Sequence, residues 1–183
     1  MIVIVGESGS GKSTLQKMLI EHDQRFKKII TYTTRPQRPH EKNGYDYHFV
    51  TSEQFLQMER DGMFCEKNSY RGWMYGTTWH GLSDYHTVAV LTPAGLRDMK
   101  RKGFAVFAVY LKVDRESRMK KLIDRGDNID EAYRRNLSDV GQFDGIEREV
   151  DTVIDNYGFR MGKEEVLQSF LNIDYIRNYY REW

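Results

Sequence analysis

The segment Gly6-Glu7-Ser8-Gly9-Ser10-Gly11-Lys12-Ser13 restricts this chain to a narrow set of folds. It follows Ile2-Val3-Ile4-Val5, a run short and β-branched enough to form a buried parallel strand. Beyond it Leu15, Met18 and Leu19 recur at helical spacing, which predicts a helix over 12–21. Strand, glycine-rich loop, helix is the context of a phosphate-binding P-loop. Glycines let the backbone curl until several N–H groups face one centre. The candidate cradle is Gly6, Gly9, Ser10 and Gly11, continuing into Lys12, Ser13 and Thr14. Lys12 brings a full positive charge beside the β- and γ-phosphates, the Ser13 hydroxyl can ligate Mg²⁺, and the helix N-terminus adds partial positive charge. The loop implies a nucleoside triphosphate site.

Strands alternate with helices over the rest of the chain, and 183 residues suit one domain with inserted parts. The buried run Thr87–Leu91 leads to Pro93, which opens a helix to about Arg101. Phe104–Leu111 reads as a central strand, Asp114 caps a helix through Ile123, and Asp130–Val140 is a charged helix. Asp151–Asp155 is a last strand, and one amphipathic helix is expected over 163–180. The expected class is therefore α/β, a P-loop NTPase-type parallel sheet with helices on both faces. Between these blocks, residues 35–75 change character. The stretch Thr33–Glu41 holds two of the three prolines and two arginines, so it forms an irregular loop. Short strands are expected at Lys28–Thr31, Tyr45–Val50, Phe64–Lys67 and Tyr70–Tyr75, with a helix over 53–60 capped by Thr51 or Ser52.

Charge excludes some functions. With 28 Lys and Arg against 27 Asp and Glu, no global field favours a nucleic acid polymer. No apolar run approaches membrane-spanning length, and the single cysteine, Cys65, fits a reducing compartment. With the first strand beginning at residue 2, no leader is read, and a cytoplasmic protein is expected. The five histidines show no metal-ligand pattern.

Three further elements follow the loop in order: Thr31-Tyr32-Thr33-Thr34-Arg35-Pro36-Gln37-Arg38-Pro39, then Gly44-Tyr45-Asp46-Tyr47-His48-Phe49-Val50, then Glu66 with Tyr75-Gly76-Thr77. In kind, order and spacing they resemble the guanylate kinase family. The similarity is strong to about residue 78 and weaker beyond. Physical chemistry agrees with what the resemblance implies. Arg35 and Arg38, three apart in a proline-stiffened loop, can fork onto one phosphate, and the phenols of Tyr47 and Tyr75 can donate to it. The family uses the matching positions for the phosphate of GMP. Glu66 matches the carboxylate that accepts from guanine N1–H and the N2 amine, a pairing that adenine cannot offer. Thr31 and Thr77 match hydroxyls that contact the base, and Glu41 matches an acid near the acceptor.

The resemblance also implies a helical lid over 118–138, an acceptor-binding mixed α+β insert over 35–78, and a core from 1–34, 79–117 and 139–183. Arg125 matches a lid arginine that neutralises the phosphoryl group in transit. The second is either Arg134 or Arg135, and Lys121 stands where an arginine is usual. Asn156 matches a position touching the adenine of ATP. Two positions depart from the pattern. The strand before Pro93 carries no acid at Val90 or Thr92, and Glu7 replaces a common proline. The implied reaction is transfer from ATP, with Mg²⁺, to GMP or dGMP. The alternatives are a kinase for another nucleoside monophosphate or a sugar phosphate, and a non-catalytic binding module. Oligomeric state is not legible.

Overall fold

The computed structural model describes residues 1–38, 41–70, 72–82 and 86–181. Its strands are Ile2–Val5 (β1), Lys27–Lys28 (β2), Tyr32–Thr33 (β3), His48–Phe49 (β4), Phe64–Tyr70 (β5), Trp73–Thr78 (β6), Thr87–Val90 (β7), Phe107–Lys112 (β8) and Thr152–Asp155 (β9). Its α-helices are Lys12–His22 (α1), Ser52–Arg60 (α2), Pro93–Arg101 (α3), Arg115–Asp124 (α4), Ile129–Asp139 (α5), Lys163–Leu171 (α6) and Asp174–Arg181 (α7). One sheet has five strands in the order β2-β7-β1-β8-β9, and the other has four in the order β4-β3-β6-β5. The pairs β2·β7 and β8·β9 are parallel, as expected for an α/β sheet.

The helix starts follow from side-chain chemistry. Thr51 forms a capping box with Gln54 at the start of α2, and Asp114 accepts from Ser117 N–H at the start of α4. Asn128 caps α5, and Thr92 caps α3 by accepting from Gly95 N–H. That last bond accounts for the hydroxyl residue at 92: it closes a helix end.

Contacts divide the chain into two compact units, one of residues 1–3 and 25–107, the other of residues 4–24 and 108–183. In the first, Phe55 stacks on Phe64 at 4.4 Å, with Leu96 and Met99 of α3 fully buried. Gly76 is required there, since a Cβ would stand 2.7 Å from the Phe64 ring. In the second, Leu15 and Leu19 of α1, Val109 and Leu111 of β8, Leu122 and Phe170 are buried. Burying each such aliphatic side chain contributes about 2 kcal/mol.

Several boundaries differ from the sequence expectation. The strand predicted over 28–31 ends at Lys28, and the chain pairs again in the next strand, Tyr32–Thr33, in the other sheet. Of the strand predicted over 45–50 only His48–Phe49 forms, since Tyr45 and Asp46 lie in a turn in which Asp46 accepts from Lys42 N–H. Tyr70 closes β5 instead of opening β6, since Glu66 through Tyr70 all pair with β6. The predicted closing helix is two helices, because α6 ends at Leu171 and α7 starts at Asp174. Arg71 of the predicted 70–75 strand, and Pro39 and His40 of the predicted loop, lie outside the described residues. Among the described residues no helix is long and apolar enough to cross a membrane.

Candidate active site

The predicted site residues fall into two groups, one in each unit. The first unit gathers Thr31, Arg35, Arg38, Glu41, Tyr47, Glu66, Tyr75 and Thr77. Its hub is Glu41. Arg35 donates from both terminal nitrogens to the two Glu41 oxygens, at 2.9 and 2.8 Å. Arg38 adds its backbone N–H at 2.9 Å and its Nη1 at 3.2 Å. Burial alone would raise the Glu41 pKa, but these donors outweigh it and hold the carboxyl below its usual range. Arg35 lies 5.3 Å from the Tyr47 ring centroid and 5.4 Å from that of Phe49. Tyr47 meets Tyr75 edge-on at 6.2 Å. The two arginines of the sequence reading therefore meet on one carboxylate, and its two phenols lie beside Arg35.

A second cluster lies on β5 and β6. Glu66 is 1% exposed, accepts from Thr77 Oγ1 at 2.6 Å and from Asn68 Nδ2 at 3.3 Å. Burial pushes its pKa up, and the two hydrogen bonds pull against that. The register explains the meeting, since Glu66 faces Thr77 across the hairpin. A Cβ on Gly95 would lie 3.1 Å from Glu66 Oε2, so α3 passes close over this carboxylate. Thr31 is buried on the chain entering β3, where its carbonyl accepts from His48 N–H. Cys65, next to Glu66, is fully buried with its thiol pushed up to about 12 by burial, which makes it packing and not a nucleophile.

The second unit holds the glycine-rich loop. Gly9 and Gly11 take positive φ of 84° and 102°, and a Cβ on Gly6 would meet the Leu111 carbonyl at 2.7 Å. Ser10 is buried, while Ser13 and Thr14 sit in the first turn of α1. Lys12 Nζ donates to the carbonyls of Gly6 and Glu7 at 2.6 and 2.9 Å, and burial lowers its pKa to about 8. Beside the loop is a cleft lined by Gly11, Thr14, Leu111, Lys121, Asn156 and Phe159. Asn156 is buried and grips Met161 through both amide atoms, and Lys121 lies 3.8 Å over the Phe159 ring.

Arg125 and Arg135 converge on one acid. Arg125 donates to Asp127 at 2.8 and 2.6 Å, and Arg135 Nη1 reaches Asp127 Oδ2 at 2.8 Å. Arg135 is buried and also bonds Glu131, whereas Arg134 donates to the Asp130 carbonyl one turn back. The structure thus separates two arginines that the sequence left equivalent.

Sequence reasoning missed the surroundings of Glu7 and Ser8. Glu7 turns its carboxylate to the Tyr110 hydroxyl and Arg118, and Ser8 N–H donates to Asp139. These partners lie 103 to 131 residues along the chain, and no local motif marks them.

A glycine-rich loop between β1 and α1, with β1 set in a parallel sheet, defines a P-loop protein of the α/β class. Within that class a family model described as guanylate kinase matches residues 1–172, and the chain belongs to this family. A guanylate kinase of Rubrobacter xylanophilus is 28% identical over 174 residues, spanning 92% of this chain and 91% of its own. One from Streptococcus pneumoniae is 29% identical over 175 residues, spanning 91% and 83%. The crystal structure of guanylate kinase from Anaplasma phagocytophilum matches with TM-score 0.65 at 23% identity, covering 100% of this chain and 84% of that one, a likeness of fold.

Proposed function

We propose that this chain transfers the γ-phosphoryl group of ATP to GMP, and to dGMP, giving ADP and the nucleoside diphosphate. The observation that carries the reading is a pair of clusters: two arginines on Glu41 with two phenols beside Arg35, and a buried carboxylate bonded to Thr77 at 2.6 Å. Arg35, Arg38, Tyr47 and Tyr75 hold the acceptor phosphate, with Glu41 orienting both guanidiniums. Glu66 accepts from guanine N1–H and N2–H, and Thr77 and Thr31 face the base. Adenine has no N1–H and no C2 amine, so it would offer the buried carboxylate neither of the donors guanine brings, a strong basis for rejection.

On the donor side the loop from Gly6 to Thr14 takes the triphosphate. Lys12 exchanges its two carbonyl partners for phosphate oxygens, and the cleft beside Asn156 takes adenine. Mg²⁺ fits the donor set: the Ser13 hydroxyl and phosphate oxygens are hard ligands, and this ion binds through few protein groups. When bound, it neutralises phosphate charge. The acceptor oxygen is already anionic, so no general base is needed and the work is alignment and charge neutralisation. In this reading Arg125 and Arg135, released from Asp127, supply the moving charge, with 118–138 as lid, 35–78 as acceptor insert and the remainder as core. Chromatography of GMP incubated with MgATP and the protein tests the reading. GDP and ADP in equal amounts are expected, and absence of GDP with a folded protein overturns it.

A further inference from the structure

The tip of the glycine-rich loop is gripped by side chains from three elements. Ser8 donates its N–H to Asp139 Oδ2 at 2.8 Å, and its carbonyl accepts from Arg118 Nη1 at 3.2 Å. The same Nη1 lies 3.4 Å from Asp139 Oδ2, while Arg118 Nε donates to the Val113 carbonyl at 3.0 Å and fixes the guanidinium plane. The Glu7 carboxylate accepts from the Tyr110 hydroxyl, 3.1 Å from either oxygen, and lies 3.8 Å from Arg118 Nη2. Tyr110, Arg118 and Asp139 are 3%, 5% and 6% exposed. Helix α4 also presses on the loop, since a Cβ on Gly9 would come 3.0 Å from the Arg118 carbonyl.

We propose that Asp139, Arg118 and Tyr110 are positioning residues that hold Glu7 and Ser8 in place, so that the loop is shaped for the donor nucleotide before it binds. The inference rests on reading the loop as the ATP site. Three glycines within six residues make an unrestrained loop costly to order, and its N–H groups converge on a phosphate only in one conformation. Ordering it in advance removes that cost from binding. The grip also handles charge. Glu7 stands where a negative side chain would repel a triphosphate, yet its carboxylate is turned to Tyr110 and Arg118. Arg118 therefore serves two carboxylates, and Arg115, Asp144 and Glu147 are the other charged groups lining the adjoining cavity of about 380 Å³. Because α4 and α5 supply Arg118 and Asp139, the helices flanking Arg125 are the ones that set the loop's shape.

The test is MgATP affinity by calorimetry on the full chain, with KM for ATP and for GMP measured in parallel. Asp139→Ala is expected to weaken MgATP binding about tenfold, the loss of one charge-assisted hydrogen bond, with KM for GMP within about twofold of wild type. Asp139→Asn keeps an acceptor for Ser8 N–H and is expected to recover affinity to within about threefold. Unchanged MgATP affinity in folded Asp139→Ala overturns the proposal, as does an equal rise in both KM values. If Asp139→Ala does not fold, Tyr110→Phe decides, because it removes one hydroxyl only: a rise of about threefold in the MgATP Kd supports the proposal and no change overturns it. A wild-type chain that does not bind MgATP removes the ATP reading and this inference together, whereas normal wild-type binding with unaltered variants removes the inference alone.

Discussion

The acceptor cluster and the glycine-rich loop are both built from buried polar groups, but they are wired differently. Around Glu41 and Glu66 the bonds are local: Arg35 lies six residues from Glu41, and Thr77 lies 11 from Glu66 across one hairpin. Around the loop they are remote, with Tyr110 103 residues from Glu7 and Asp139 131 from Ser8. The charged groups also rest differently. The acceptor arginines lean on a carboxylate that belongs to their own cluster. Lys12, Arg125 and Arg135 rest on loop carbonyls and on Asp127, partners that phosphate displaces in the proposed reaction. A local cluster is shaped by one stretch of chain and one turn register. A remote one is shaped only when the whole unit has folded.

Four substitutions press on that contrast. Lys12→Ala removes the one positive charge inside the loop. Turnover is expected to fall by about a thousandfold or more with the circular dichroism spectrum unchanged, and retained activity would break the donor half of the account. Glu66→Ala acts on the acceptor half alone. The ratio of kcat/KM for GMP over AMP is expected to drop by about a hundredfold or more, with KM for ATP little changed.

Glu41→Gln tests whether the local cluster is also structural. It leaves Arg35 buried without its anionic partner and is expected to lower unfolding free energy by about 3 kcal/mol in a denaturant titration. The same pair has a pH signature. The Glu41 pKa is lower folded than unfolded, so its stabilisation is complete above the unfolded carboxylate value, about 4.3, and is lost as pH falls toward the folded value. Wild type is therefore expected to lose stability more steeply than Glu41→Gln below about pH 4.3, and parallel pH profiles would count against the pairing. The smallest effect belongs to Thr51→Ala, which removes the α2 capping box away from either cluster. A loss of about 1 kcal/mol with kcat for GMP unaltered is expected, read from thermal melts and steady-state rates.

The same contrast governs what the sequence made legible. The strand, loop and helix at residues 2–22 follow from hydrophobic run, glycine spacing and periodicity, and α2 and α3 from Thr51 and Pro93. That Arg35, Arg38, Tyr47, Glu66, Tyr75 and Thr77 lie in one unit was readable because they fall within one short stretch of chain. Glu41 was readable only as an acid nearby, since its role as hub depends on how the proline-containing loop folds back. Thr92 read as a missing acid, and the structure makes it a helix cap. Arg134 and Arg135 were equivalent by position, and the facing of α5 separates them. Arg118 read only as the start of the lid segment and Asp139 only as part of a charged helix, because nothing within several residues of either points to Glu7 or Ser8. Strand ends at 28–33 and 45–50 were misplaced where side-chain bonds such as Asp46 to Lys42 N–H take backbone groups away from the ladder.

The most direct test of the account is guanine selection by Glu66. Initial rates with MgATP would be measured for GMP, dGMP, IMP and AMP as separate acceptors, in wild type and in Glu66→Gln. The account predicts turnover of GMP and dGMP by wild type, weaker turnover of IMP, which lacks the N2 amine, no measurable turnover of AMP, and a collapse of that ranking in the variant. Wild-type turnover of AMP comparable to that of GMP, or an unchanged ranking in Glu66→Gln, would contradict it.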